Sequence, residues 1–151
     1  MADIHIDDFY RDTAVTLLHL YALFPRAETV FVEDIAGPEE TDEFGLHSKR
    51  HLGALAAMIW LGDEGYLRHQ GPIRQEALDQ VVLTSRAFLT LNKTPLTPRP
   101  VDATDRSRSL IDEQQTNLFQ LRNALKRKES ATLRRAILDF MAQVQATPDA
   151  L

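Results

Sequence analysis

The chain contains no cysteine, few glycines and no long apolar run. The absence of thiols excludes disulfides, thiolate metal sites and a cysteine nucleophile. Its six glycines are scattered, so no glycine-rich loop is available to bind phosphate. The longest apolar run, residues 52–61, is about half of the ~20 residues that a membrane-spanning helix requires. Since the N-terminus also lacks the pattern of a signal peptide, we expect a soluble, cytoplasmic protein with no membrane partner.

The charge is distributed unevenly along the 151 residues. Residues 1–92 carry seven basic and fifteen acidic side chains, for a net charge of −8. Residues 93–151 carry ten basic and seven acidic side chains, for a net charge of +3. With 44% hydrophobic residues, the composition is that of a globular protein, and the length suits one domain with a small addition. An acidic front half is not typical of a protein that binds polyanions.

The first third of the chain predicts helices by its periodicity. Apolar residues recur every three to four positions over residues 7–24, where Asp7 or Asp8 can cap a helix that Pro25 ends. Residues 29–36 fit either a strand or a short helix that ends at a glycine, and both alternatives stay open.

A second long helix is predicted over residues 46–62, polar in its first half and apolar in its second. Gly65 follows as the natural left-handed position, and we expect Trp60 to be at least partly buried.

A hairpin is predicted next. Residues 66–69 form its first strand, and its second strand ends at residues 81–83. Residues 74–80 fit a helical turn as the alternative, but the Gly-Pro pair at 71–72 favours a hairpin. Thr84 then precedes a third helix, in which Phe88 and Leu91 are expected to face the core.

The last third of the chain begins with a linker. Residues 93–105 contain three of the seven prolines and show no periodicity. Two amphipathic helices are predicted within residues 106–146, with Ser130 as the N-cap of the second. Their apolar seam is too large for a helix pair standing alone in water, so it must cover the first lobe, pair with a second copy, or both. Because the extended linker favours reaching away from the first lobe, we expect a homodimer. The expected interface consists of Leu110, Ile111, Leu118, Leu121, Leu125, Leu133, Ile137, Phe140 and Met141.

The order of these elements resembles that of a winged helix-turn-helix domain. The segments that carry the resemblance are residues 32–36, 48–52, 59–67 and 82–84. It implies an α+β, mostly α fold: a winged-helix lobe with a β-hairpin wing over residues 8–92, the linker, and the C-terminal helical segment. One departure is the turn at residues 37–45, which is longer and more acidic than the tight turn of that family.

The resemblance implies a small dimeric transcription regulator that binds double-stranded DNA. Its recognition helix would begin with Ser48, Lys49, Arg50 and His51, and Arg68 and Arg74 would contact phosphates from the wing. The alternative is a winged-helix protein-interaction module that does not bind DNA. Four basic side chains form the expected DNA-binding strip: Lys49, Arg50, Arg68 and Arg74. The alternative is favoured if the acidic side chains of the long turn overhang this strip. These acidic side chains are Glu39, Glu40, Asp42 and Glu43.

No enzymatic site is predicted. The paired carboxylates lie near turns and helix ends, where they usually cap helices, and no serine or threonine has a base in a suitable context. His47 and His51 are four residues apart, with Glu43 one turn earlier, so metal binding is sterically conceivable. Since no third histidine or any cysteine lies nearby, we predict no metal site, no cofactor and no catalytic residue.

Overall fold

The structure is a computed structural model and describes residues 4–39, 41–96 and 115–147. The chain divides into two compact units after Thr84. The first unit contains helix α1 (Ile4–Leu23), strand β1 (Glu28–Phe31) and helices α2 (Val32–Ala36) and α3 (Lys49–Asp63), followed by the strands β2 (Leu67–Arg68), β3 (Pro72–Ile73) and β4 (Ala77–Leu83). The second unit contains helices α4 (Ser85–Leu91), α5 (Asn117–Arg127) and α6 (Ser130–Ala146).

The first unit packs α1, α2 and α3 around a small antiparallel sheet. The strand order is β1-β4-β2, and β3 pairs with Ala77 and Leu78 on the edge of β4 opposite β1. The register places Val30 opposite Leu78 and Leu67 opposite Leu83. Apolar side chains from both layers are fully buried together, including Leu17, Leu20, Ile35, Met58, Leu61, Leu78 and Val81. This unit is α+β, with an apolar core between the helices and the sheet.

Local sequence signals account for the boundaries of α3. The Ser48 hydroxyl accepts a hydrogen bond from the His51 amide and so caps the first turn. At the other end Gly65 has φ 85°, as predicted, and leads the chain into β2. The helix runs from Lys49 to Asp63, close to the predicted 46–62, and Trp60 is partly buried with 39% of its surface exposed.

The structure resolves three points that the sequence left open or placed differently in the first unit. Residues 29–36 contain both alternatives, because β1 ends at Phe31 and α2 follows at once. The turn expected around residue 71 includes the short strand β3. The helical-turn alternative for residues 74–80 is wrong, because this segment forms the β3–β4 turn and most of β4. Strands β1 and β3 are short and form by pairing with β4. The sequence of each segment alone does not show this pairing.

Among the described residues of the second unit, α4 packs on α5 and α6. Its buried Asn117 side chain donates hydrogen bonds to the Thr90 carbonyl at 2.8 Å and to Gln143 Oε1 at 2.6 Å. The two units divide after Thr84, so α4 is grouped with the C-terminal helices, whereas the sequence placed residues 85–92 in the first lobe. Phe88 is only half-buried, and α6 begins at Ser130 with Glu129 in the N-cap position.

Candidate functional site

The candidate site is the N-terminal end of α3 together with the loop at residues 37–48 that leads into it. The Asp42 carboxylate organises the loop by accepting hydrogen bonds from the amides of Phe44 and Leu46, both at 2.9 Å. The Glu39 carboxylate accepts hydrogen bonds from the Ser48 amide at 2.9 Å and the Ser48 hydroxyl at 2.6 Å, both through Oε2. An acidic side chain of the loop thus lies against the start of α3.

Two histidines share the other oxygen of Glu39. His47 Nδ1 is in direct contact with Glu39 Oε1, and His51 Nδ1 lies 3.1 Å from the same atom. The two imidazole rings stack with centroids 4.0 Å apart and planes 5° from parallel. His51 is 3% exposed, and its Nε2 lies 2.7 Å from the Gln75 carbonyl oxygen. Because a carbonyl can only accept, His51 Nε2 carries a hydrogen and donates it.

The hydrogen bonds at Glu39 favour its charged form. Desolvation acts to raise the pKa of this carboxyl, but the hydrogen bonds from Ser48 and His47 outweigh it and lower the pKa from 4.5 to about 2. A carboxylate at the N-terminus of a helix also interacts favourably with the helix dipole. Glu39 is therefore ionised at neutral pH.

A second ion pair lies in the same first turn of α3. The Arg50 guanidinium donates two hydrogen bonds of 2.6 Å to the two carboxylate oxygens of Asp12 on α1. The Asp12 side chain is 1% exposed and that of Arg50 is 31% exposed. Burial raises the pKa of Asp12 against the opposing effect of Arg50, and the hydrogen bond to Asp12 raises the pKa of Arg50. This geometry ties α1 to α3.

The structure separates the six predicted DNA contacts into two groups. Lys49, Arg68 and Arg74 are exposed, the last of these at the β3–β4 turn with φ 52°. The other three are engaged within the protein: Ser48 binds Glu39, Arg50 binds Asp12, and His51 is buried. The start of α3 therefore does not present Lys49 and Arg50 to solvent as an adjacent basic pair.

The solvent-facing stripe of α3 is mostly apolar. It is formed by the exposed residues on one side of the helix: Lys49, Leu52, Gly53, Ala56, Trp60 and Asp63. The Trp60 ring is held in place, edge-on to Phe9 at 5.4 Å and stacked on Tyr66 at 6.0 Å between centroids. Lys49 is the only basic side chain of this stripe, and Asp63 closes its other end.

The sequence named Glu39 only as a member of the acidic turn, placed Glu43 near the two histidines, and gave Asp12 no role. Glu39 belongs to an acidic run whose composition predicts a solvent-exposed turn. Its contact with Ser48 forms only because the loop folds back onto the start of α3. Asp12 did carry a signal, because it stands beside Thr13, Ala14 and Leu17 in a helix segment that is otherwise buried. A charged residue at such a position requires a partner.

The residues predicted as a dimer interface mostly form the interior of the second unit. Leu121, Leu133, Ile137 and Phe140 are buried there, whereas Leu118, Leu125 and Met141 are half-buried. Leu110 and Ile111 lie outside the described residues, as does most of the predicted linker. Within the described part of the chain, α4 supplies the cover that a pair of C-terminal helices alone would lack.

Comparisons with protein-family models, with curated proteins and with solved structures found no match for this chain. Among the residues that the structure describes, no helix combines the length and the apolar character that crossing a bilayer demands.

Proposed function

We propose that the first unit is a winged-helix domain that binds a protein partner through the solvent-facing stripe of α3. Support for the winged-helix assignment comes from the order of the elements: helix, strand, two helices and a hairpin. The strand order β1-β4-β2, in which the first strand pairs with the last, is compatible with this arrangement. Under the proposal, α3 takes the position of the recognition helix and the β3–β4 turn lies in the wing.

The chemistry of the α3 stripe is the observation that carries the proposal. Gly53 and Ala56 occupy its middle, where a DNA-reading helix needs donors and acceptors that reach base edges. Small residues instead allow a second backbone to come close, and Leu52 and Trp60 add apolar surface on either side. Aromatic anchors surrounded by few charges are typical of the centre of a protein interface.

The electrostatics of the first unit also favour a protein partner over DNA. Residues 1–84 carry six basic and fifteen acidic side chains, a net charge of −9. Arg50 is neutralised by Asp12, and the Glu39 carboxylate lies at the end of α3 where a phosphate would approach. Phosphate contacts supply most of the affinity in DNA binding, so this distribution opposes it.

The same distribution indicates the chemistry of the partner. An apolar stripe on a strongly acidic unit is complementary to a segment with an apolar face and basic flanks. A short amphipathic helix with small or aliphatic residues on its apolar face fits the stripe, because Gly53 and Ala56 leave room for close approach.

A peptide selection tests this function directly. The full chain is immobilised and used to select ligands from a random peptide library. We expect the enriched peptides to combine apolar anchors with Lys or Arg, and Ala56→Glu to weaken their binding at least tenfold. The matched control is Ala131→Glu, which places the same charge on an exposed helical alanine of the second unit.

Two outcomes contradict the proposal. One is selected peptides that bind the Ala56→Glu variant as well as the wild type. The other is salt-dependent binding of duplex DNA that is lost when Lys49, Arg68 or Arg74 is replaced by alanine.

A further inference from the structure

We propose that Glu39, His47 and His51 form a binding site for a divalent transition-metal ion, and that Zn²⁺ fits it best. The three residues each place one ligand atom within 4.8 Å of the other two. These atoms are one carboxylate oxygen and two imidazole nitrogens, a set that zinc and its neighbours in the first transition row bind well. Mg²⁺ and Ca²⁺ prefer oxygen ligands only, so the two histidines exclude them as the preferred ions.

The unpartnered nitrogen of His51 is the observation that requires a ligand. Because Nε2 donates its hydrogen to the Gln75 carbonyl, the neutral ring presents the Nδ1 lone pair toward Glu39. This Nδ1 atom is buried and has no hydrogen-bond partner among the described residues, although Glu39 Oε1 lies only 3.1 Å away. Two lone pairs that face each other at this distance repel, and a cation between them removes the repulsion.

Surrounding hydrogen bonds orient two of the three ligands, His51 and Glu39. A metal-binding histidine usually donates its other ring N–H to a carbonyl or carboxylate, as His51 does to Gln75. The Glu39 carboxylate is fixed by Ser48, which binds Oε2 and leaves Oε1 directed at the histidines. Two of the three ligands therefore have their supporting contacts in place.

The spacing of the His51 and Glu39 ligand atoms agrees with a small tetrahedral ion. Metal–ligand bonds of ~2.0–2.2 Å place two tetrahedral ligands about 3.4 Å apart, close to the 3.1 Å between His51 Nδ1 and Glu39 Oε1. Both Nδ1 atoms lie close to Glu39 Oε1, but the stacked rings are nearly parallel and their in-plane lone pairs do not converge, so binding requires the half-buried His47 ring to rotate. Binding also requires the close His47–Glu39 contact to open slightly, and three protein ligands leave a fourth position for water.

A hydrogen bond alone explains only part of this cluster. In a metal-free protein, His47 Nδ1–H donates to Glu39 Oε1, which accounts for their contact. That arrangement gives His51 Nδ1 no partner, however, and an unsatisfied buried nitrogen costs stability. A bound ion satisfies all three ligand atoms at once and ties the loop at residues 37–48 to α3.

Titration of the metal-free protein tests the site. The full chain is treated with EDTA, dialysed and titrated with Zn²⁺ in a calorimeter. We expect one ion per chain with a Kd below the micromolar range. Zinc at 100 times its Kd should raise the Tm by roughly 5–10 °C, because it binds the folded state alone.

Three variants identify the ligands. His47→Ala removes a partly exposed ligand, and Glu39→Gln keeps the size of the side chain without its charge. His51→Gln retains a nitrogen that can donate to the Gln75 carbonyl but lacks the Nδ1 ligand. Each should weaken zinc binding at least tenfold, whereas His5→Ala, which removes an exposed histidine of α1, should leave it unchanged.

Imidazole ¹⁵N spectra of the wild type provide a measurement that does not depend on variant stability. The Nδ1 resonances of His47 and His51 should move together when Zn²⁺ is added, and that of His5 should not. The proposal is overturned if these resonances stay in place, if binding is not stoichiometric, or if His47→Ala binds zinc as tightly as the wild type.

Discussion

At the residue scale, the Arg50–Asp12 pair shows how two charges can serve the fold rather than a ligand. Asp12 is buried in α1, where an unpaired carboxylate would be costly, and both hydrogen bonds from Arg50 are 2.6 Å long. A pair of this kind adds little stability compared with apolar residues of similar size, but losing one member leaves the other uncompensated. Its function is to fix α1 against α3.

Replacing Arg50 should therefore be much more harmful than replacing its neighbour. Arg50→Ala is expected to lower the free energy of unfolding by about 3 kcal/mol, because a buried carboxylate loses its main partner. Lys49→Ala, at an exposed position, should stay within about 0.5 kcal/mol of the wild type. Urea denaturation of the two variants measures the difference, and equal stabilities would show that the pair does not hold the helices together.

Glu39 should make the metal-free protein sensitive to acid. Its folded pKa of about 2 lies below the ordinary value of 4.5, so the folded state binds this proton less tightly than the unfolded chain does. The stabilisation is complete above pH 4.5 and is lost as the pH falls toward 2. Thermal denaturation in EDTA should thus show the stability advantage of wild type over Glu39→Gln shrinking across this range, and a constant difference would argue against the Ser48 and His47 contacts.

At the element scale, α3 connects the loop, the sheet and the proposed partner surface. It was predictable because its apolar residues recur with helical spacing. Ser48 caps its N-terminal end, and Gly65 adopts the left-handed conformation just after its C-terminal end. Strand β3 was not, because a two-residue strand is defined by its pairing with β4 and not by its own sequence. The contacts of Glu39 were hidden for the same reason, since they join residues eight or more positions apart.

Two glycines near α3 should respond in opposite ways to alanine. Gly53→Ala is expected to raise the free energy of unfolding by up to about 1 kcal/mol, because a Cβ there meets no atom within 4 Å and alanine favours the helix. Gly65→Ala should lower it by about 1–2 kcal/mol, because φ 85° is strained for any residue with a Cβ. Chemical denaturation of both variants checks the boundaries of α3, which would be wrong if Gly53→Ala were destabilising.

At the scale of the whole molecule, the two units differ in charge and in architecture. Residues 1–84 have a net charge of −9, and residues 85–151 carry eleven basic and seven acidic side chains, for +4. The apolar seam of α5 and α6 was visible in the sequence, but its closure by α4 was not, since α4 follows the hairpin directly. A homodimer through the C-terminal helices stays a prediction, and the buried seam does not by itself require a second copy.

We expect alanine substitutions at buried and exposed positions of α6 to differ clearly in their effect on stability. Phe140→Ala is expected to lower the stability of the second unit by about 3–5 kcal/mol, because the ring is fully buried. Leu138→Ala, at a half-exposed position two residues earlier, should change it by less than about 1 kcal/mol. Circular dichroism during denaturation distinguishes the two, and a tolerated Phe140→Ala would contradict the packing of α6 on its neighbours.

The choice between a protein partner and DNA is tested most directly by fluorescence anisotropy with a labelled mixed-sequence duplex at low salt. The acidic first unit, the engaged Arg50 and the apolar stripe of α3 predict no salt-dependent binding in this titration. Binding that weakens steeply with salt, and whose salt dependence falls by about one unit in Lys49→Ala, would contradict the account and establish α3 as a DNA-contacting helix.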